Sequence, residues 1–141
     1  MSQKNLNVQN KTHKFLLDKL EDKRILRIYK KFEKNLKVKK SVIVAVSGGP
    51  DSLALSFLTK IYSLKKSLDV KYFLVDHRLR KNSTSEAKSV QKLLENFSIN
   101  LNILTWKGSK PQKNIQSMSR DKRYELLINQ ANKFKIENIL L

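Results

Sequence analysis

Ser41-Val42-Ile43-Val44-Ala45-Val46-Ser47-Gly48-Gly49-Pro50-Asp51-Ser52 is the stretch that decides how this chain folds. Its first half is a β-branched apolar run with no polar face, the pattern of a strand buried on both sides in a parallel sheet. The run breaks at two glycines, and Ser52 to Lys66 then carries Leu53, Ala54, Leu55, Phe57, Leu58, Ile61 and Leu64 almost all round, as a well-buried helix does. Adjacent glycines at a strand-to-helix turn remove the Cβ atoms that keep an anion off the main chain, and they let several N–H groups turn inward. The helix amino terminus adds unpaired donors and a partial positive charge. Ser47 and Ser52 can donate hydroxyl hydrogen bonds to the same oxygens. Asp51 beside bare phosphate is unfavourable, and it makes sense as a ligand to a Mg²⁺ ion that the phosphates share. Ser47, Gly48, Gly49, Pro50, Asp51 and Ser52 therefore read as a site for a magnesium polyphosphate, with Asp51 on the metal. The plainer reading is a bend in which Ser52 or Asp51 caps the helix. The complete hexapeptide between a buried strand and a buried helix favours the phosphate site. The Gly-Lys-Ser/Thr ending of a Walker loop is absent, and so are the three spaced glycines of a dinucleotide fingerprint.

On the amino-terminal side, residues 1–11 are polar and are expected to fray. Ile25, Ile28, Tyr29, Phe32 and Leu36 then fall at helical spacing, with Lys and Arg on most of the other face. On the carboxyl-terminal side strands and helices alternate. Val70–Val75 is a strand, Ser83–Phe97 a helix capped by Ser83 or Thr84, Leu101–Trp106 a strand, Asn114–Phe134 a helix, and Ile136–Leu141 the start of a fourth strand. This alternation predicts an α/β fold with a parallel sheet and right-handed crossovers. In such a sheet ligands bind beyond the carboxyl ends of the strands, so the residues after Val46, Val75 and Trp106 are the ones to inspect.

The chain has 141 residues, 40% of them hydrophobic, which suits one compact unit. Its formal net charge of +18 attracts polyanions, nucleic acid first. The excess is lysine-heavy, 24 Lys against 6 Arg, as an A/T-rich genome also produces, so charge alone leaves RNA binding open. Without cysteine there are no disulfides, thiolate metal sites or cysteine nucleophiles. No stretch reads as a signal peptide or a membrane span, and the expected setting is cytoplasmic, with no membrane partner.

Two further groups of residues carry chemistry. Val75-Asp76-His77-Arg78-Leu79-Arg80 closes the second strand. A histidine there is usually structural or solvated, though His77 is a candidate catalytic group. Asp76 either organises metal or substrate or pairs with Arg80. In the last helix Arg120, Arg123 and Tyr124 lie at i, i+3 and i+4, while Tyr124, Leu127, Ala131 and Phe134 continue an apolar stripe. An arginine at the edge of a packed face is preorganised for phosphate or developing charge, and Arg120 is the candidate here. The alternative is an amphipathic helix with solvated arginines.

Ser-Gly-Gly-x-Asp-Ser resembles the signature of the PP-loop ATP pyrophosphatases, which cleave ATP between its α and β phosphates and form an adenylated intermediate. Asp76-His77-Arg78-Leu79-Arg80 is similar to the Asp-His-Gly-Leu-Arg segment of the tRNA(Ile)-lysidine synthetases, with Arg78 where glycine is common. Ser119-Arg120-Asp121-Lys122-Arg123-Tyr124 resembles their Ala-Arg-x-x-Arg-Tyr block, with Ser119 for alanine. The resemblance covers roughly residues 25–141. It implies a Rossmann-like, adenine nucleotide alpha hydrolase-like domain over residues 41–141, truncated after the start of the fourth strand, behind a basic extension at residues 1–40. It also implies ATP and Mg²⁺ as cofactors, tRNA(Ile) with a CAU anticodon and L-lysine as partners, and roles for Asp51, His77 and Arg120 in forming lysidine. In that family a His/Asp segment and tRNA-gripping domains follow, so this chain is expected to be a fragment with little catalysis of its own. Another PP-loop tRNA modifier, such as a thiolase, and a non-catalytic nucleotide- or RNA-binding remnant are the alternatives.

Overall fold

The computed structural model describes residues 2–141. Helix α1 (Gln3–Asp18) and a single 3₁₀ turn lead into α2 (Lys23–Asn35), and alternation then runs β1 (Ser41–Val46), α3 (Pro50–Lys66), β2 (Asp69–Asp76), α4 (Ser83–Glu95), β3 (Leu101–Thr105), α5 (Ile115–Phe134) and β4 (Ile139–Leu140). The sheet order is β3-β2-β1-β4 and every pairing is parallel, with Val44 opposite Tyr72, Tyr72 opposite Leu101, and Ile43 opposite Ile139. The expected α/β parallel sheet is thus the one formed.

The central strand β1 shows why its sequence has no polar face. Val44 and Val46 pack into a cluster with Tyr72, Leu74, Ala87 and Leu94, whereas Ile43 and Ala45 point the other way, to Phe73, Leu127 and Ala131. Helices α3 and α4 cover the first face and α5 the second, so successive β1 side chains are buried on opposite sides. Helix α3 is apolar nearly all round for a similar reason. Leu53, Leu55 and Phe57 face the sheet cluster, while Ile61, Leu58 and Tyr62 meet Leu16 and Tyr29 of the two helices stacked outside it.

Four local expectations need correction. Residues 3–11 are helical rather than frayed, because the Ser2 hydroxyl accepts from the Asn5 N–H at 3.4 Å and the far end of α1 is anchored by Leu16, only 3% exposed; residue 1 lies outside the described residues. Asn82, not Ser83 or Thr84, occupies the cap of α4, since the Thr84 hydroxyl is engaged by Asp76 at 2.6 Å. Neither Ser52 nor Asp51 caps α3; Gly49 does, with no side-chain bond. The fourth strand begins three residues late. Lys135 closes α5 in the left-handed region at φ 54°, and the Ile136 N–H still donates to the Ala131 carbonyl at 2.8 Å, a helix-closing motif that keeps Ile136 off the sheet. Among the described residues no helix is long and apolar enough to cross a membrane.

Candidate functional site

The strand ends converge as the topology requires. β1 is the strand from which the chain builds outward in both directions, to β2 and β3 on one side and β4 on the other, so the turn after Val46 lies at the switch in strand order. In that turn Gly48 sits at φ +85°, a conformation L side chains rarely adopt, and a Cβ there would come within 2.8 Å of Val90 Cγ2. The turn is held open by hydroxyls. The Ser47 N–H and Ser47 Oγ both lie 3.1 Å from Ser52 Oγ, and Ser52 Oγ donates to the Gly49 carbonyl at 3.0 Å. The Gly49 N–H makes a long 3.4 Å contact to Ser47 Oγ, while no acceptor engages the amides of Gly48, Asp51 or Ser52. These are the donors an anion would take, and Asp51 is exposed on the first helical turn just beyond them. Unengaged amides beside a residue with no Cβ are the features a phosphate group would need here. For a magnesium ion the chain offers one carboxylate here, and among the described residues no group of three potential ligands exists, which suits an ion held largely by phosphate oxygens and water.

Beside the turn is a cleft of about 230 Å³, lined by Val46, Ser47, Asp76, His77, Ser83 and Arg123 among others. Asp76 forms its floor at 2% exposure, accepting from the Arg78 N–H at 3.0 Å and from the Thr84 hydroxyl at 2.6 Å. Burial works to raise this carboxyl, but the Thr84 and Arg78 hydrogen bonds outweigh it and hold it below the usual carboxylate range. Arg80 does not pair with Asp76; it bonds Glu86 at 3.0 Å. His77 Nδ1 is buried without a hydrogen-bond partner, and the buried Ser83 hydroxyl has none but a weak approach to Asp76. An unpartnered ring nitrogen in such a cleft is what a polar ligand would satisfy.

His77 is half-buried, with its ring edge-on to Trp106 at 6.1 Å. Burial, then the nearby Arg123 charge, lowers its pKa below 6.5, with Asp76 opposing. The neutral ring therefore persists to lower pH than in a free histidine. Protonation should set in only below 6.5 on acidification, and the stability that the neutral ring contributes should be lost as pH falls from 6.5 through the folded value. Ring-proton NMR over that range checks this, using His13→Gln to remove the other histidine; a midpoint at or above 6.5 overturns it.

Arg78 adopts φ +52°, the left-handed region. That conformation explains why glycine suits this position, and it places the Arg78 N–H on Asp76. Arg78→Gly should therefore hold or raise stability, by up to about 1 kcal/mol. A lower melting temperature for this variant would show that the arginine side chain makes a compensating contact.

The two arginines of α5 part company. Arg123 reaches the cleft wall, whereas Arg120 is exposed, 4.0 Å from Asp121. Tyr124 and Phe134 are 40% and 41% exposed, so only Leu127 and Ala131 of the expected stripe reach the core. Sequence reasoning passed over Ser83, Trp106 and Lys110. Lys110 donates to the Trp106 carbonyl at 2.7 Å and lies 4.4 Å over its ring, fixing the aromatic wall beside His77. Their position after the second and third strands was the available signal.

Comparison with known proteins bears on the family and the fold. The family model described as the PP-loop domain matches residues 18–141. The chain belongs to the PP-loop family. Curated relatives of this PP-loop domain are named tRNA(Ile)-lysidine synthase. That of Bartonella quintana is 43% identical over 67% of this chain and 20% of its own length, that of Orientia tsutsugamushi 37% over 77% and 24%, and that of Bradyrhizobium diazoefficiens 34% over 74% and 30%. The chain therefore spans 20 to 30% of the length of these relatives. A solved structure, the U34-tRNA thiolase NcsA from Methanococcus maripaludis with its 4Fe-4S cluster, superposes at a TM-score of 0.69 with 18% identity, covering 84% of this chain and 45% of that one. The likeness is one of fold.

Proposed function

We propose that this PP-loop domain binds ATP with Mg²⁺ for an enzyme that ligates L-lysine to the wobble cytidine of tRNA(Ile) with a CAU anticodon. In this reading residues 41–141 carry the nucleotide site, residues 1–40 form a basic extension, and the setting is cytoplasmic. The observation that carries it is the turn from Ser47 to Ser52, whose free amides open beside the cleft of His77 and Arg123. The similarity to tRNA(Ile)-lysidine synthases supplies the substrate class. The cytidine C2 oxygen attacks the α-phosphorus and pyrophosphate leaves. The deprotonated side-chain amine of lysine then adds at C2, and AMP departs with that oxygen.

The roles follow from charge. The Gly48, Asp51 and Ser52 amides, with the Ser47 and Ser52 hydroxyls, hold phosphate oxygens, and Asp51 would hold a magnesium ion, which would supply charge neutralisation for the polyphosphate. Neutral His77 accepts a proton or a hydrogen bond from substrate. An arginine of α5 stabilises charge on the activated intermediate. Support for Arg123 is its place on the cleft wall; Arg120, exposed beside Asp121, is the other candidate.

The test is AMP formation from ATP by the chain with unmodified tRNA(Ile), with and without lysine. Lysine-dependent AMP and lysidine in the digested tRNA are expected at a low rate, since the chain spans 20 to 30% of the length of the relatives. Arg123→Ala should lower the rate by about 100-fold and Arg120→Ala by less than about tenfold. Turnover with a sulfur donor in place of lysine would make this a thiolation enzyme, and ATP binding with no turnover would leave a nucleotide-binding remnant.

A further inference from the structure

The outer face of α2 is the most strongly cationic surface element of the fold. Arg24, Arg27, Lys31 and Lys34 recur at i, i+3, i+7 and i+10, so they form one stripe about 15 Å long, and all four are exposed. Arg24 is engaged by Asp22 at 3.3 Å, but Arg27, Lys30, Lys31 and Lys34 enter none of the ion pairs found among the described residues. The acidic residue of the helix, Glu33, is turned to the opposite side, toward Lys66 of α3 at 4.0 Å. Phe32 stands against Tyr62 at 6.3 Å and Tyr29 clusters with Ile61, so the inner face of α2 packs on the second half of α3. The stripe consequently lies on the side of α2 away from α3, whose contacts with α2 are at Tyr62 and Lys66, near its far end from the phosphate turn.

We propose that this stripe is a docking surface for the phosphate backbone of a structured RNA, remote from the cleft. The proposal rests on the tRNA reading for the identity of its partner. An anionic membrane would need the apolar face of α2, and that face is already packed on α3, leaving Ile28, 57% exposed, as the one large apolar side chain on the open side. An acidic protein partner would be anchored by aromatic side chains between the charges, and the stripe has none. A row of cations, three of the four outside the ion pairs found among the described residues and without such anchors, suits phosphate contacts.

The chain's binding of a fluorescent unmodified tRNA(Ile) transcript should be followed by anisotropy between about 50 and 200 mM KCl. The combined variant Arg27→Gln, Lys31→Gln, Lys34→Gln keeps helix-forming residues and should weaken binding roughly tenfold at about 100 mM, and it should reduce the slope of log K against log salt by about 2 to 3. ATP affinity, measured separately, should stay within about twofold, so failure of the nucleotide reading and failure of the docking surface are told apart. Circular dichroism verifies that the helix is intact. A control that removes as much charge elsewhere, Lys88→Gln, Lys92→Gln, Lys135→Gln, should have a clearly smaller effect. Equal weakening by the two triple variants overturns the proposal, because net charge then suffices. It is equally overturned if the α2 variant binds tRNA unchanged but loses binding to phosphatidylserine vesicles.

Discussion

Gly48→Ala is expected to weaken ATP binding by about 100-fold or more and to lower stability by roughly 1 to 3 kcal/mol. Two separate costs act. The backbone at φ +85° is strained for any residue with a Cβ, and that Cβ would stand 2.8 Å from Val90 Cγ2, closer than real carbons approach. The turn must move, and with it the Gly48, Asp51 and Ser52 amides whose direction makes the anion cradle. Val90→Ala in the same chain removes the steric part but not the dihedral part, so the double variant should recover some melting temperature and little ATP affinity. Calorimetry of ATP binding and thermal unfolding together check this. If Gly48→Ala binds ATP as tightly as the parent chain, phosphate is not held by this turn.

Asp76→Ala has the largest expected effect on folding. The carboxylate is 2% exposed and accepts from the Arg78 N–H and the Thr84 hydroxyl, so its removal leaves two donors unpaired in a buried place and uncouples the end of β2 from the first turn of α4. A loss of about 3 kcal/mol, or about 10 °C in melting temperature, is expected. Because the folded carboxyl is held below its ordinary value, its contribution is full above the ordinary range and is lost as pH falls through the folded value. Asp76→Asn should remove that acid-side dependence while retaining one acceptor. An alanine variant as stable as the parent would mean that water replaces the carboxylate and that the cleft floor is wetter than its burial implies.

Much of this was written in local sequence. The apolar run of β1 and the paired glycines after it were enough to place a parallel strand, a turn and a helix, because strand burial and glycine's backbone freedom are properties of consecutive residues. The alternation of elements followed from periodicity alone. What sequence could not settle were the pairings between distant segments. Asp76 had Arg80 as its obvious partner four residues on, yet Thr84 and a main-chain amide take it while Arg80 goes to Glu86. Arg120, the sequence candidate, and Arg123 share one side of a helical wheel, and only the docking of α5 on the sheet puts Arg123 on the cleft wall and leaves Arg120 in solvent.

The sequence by itself determined the order of strands and helices from α2 onward, the position of the glycine turn and the basic character of α2, since each depends on neighbours within one or two turns of chain. Tertiary structure alone decided that α1 is a folded helix anchored by Leu16, that Trp106 and Lys110 stand beside His77, and that the cations of α2 face outward together. Those outcomes are set by which surfaces meet when the layers close, and burial of one face fixes where the opposite face must point.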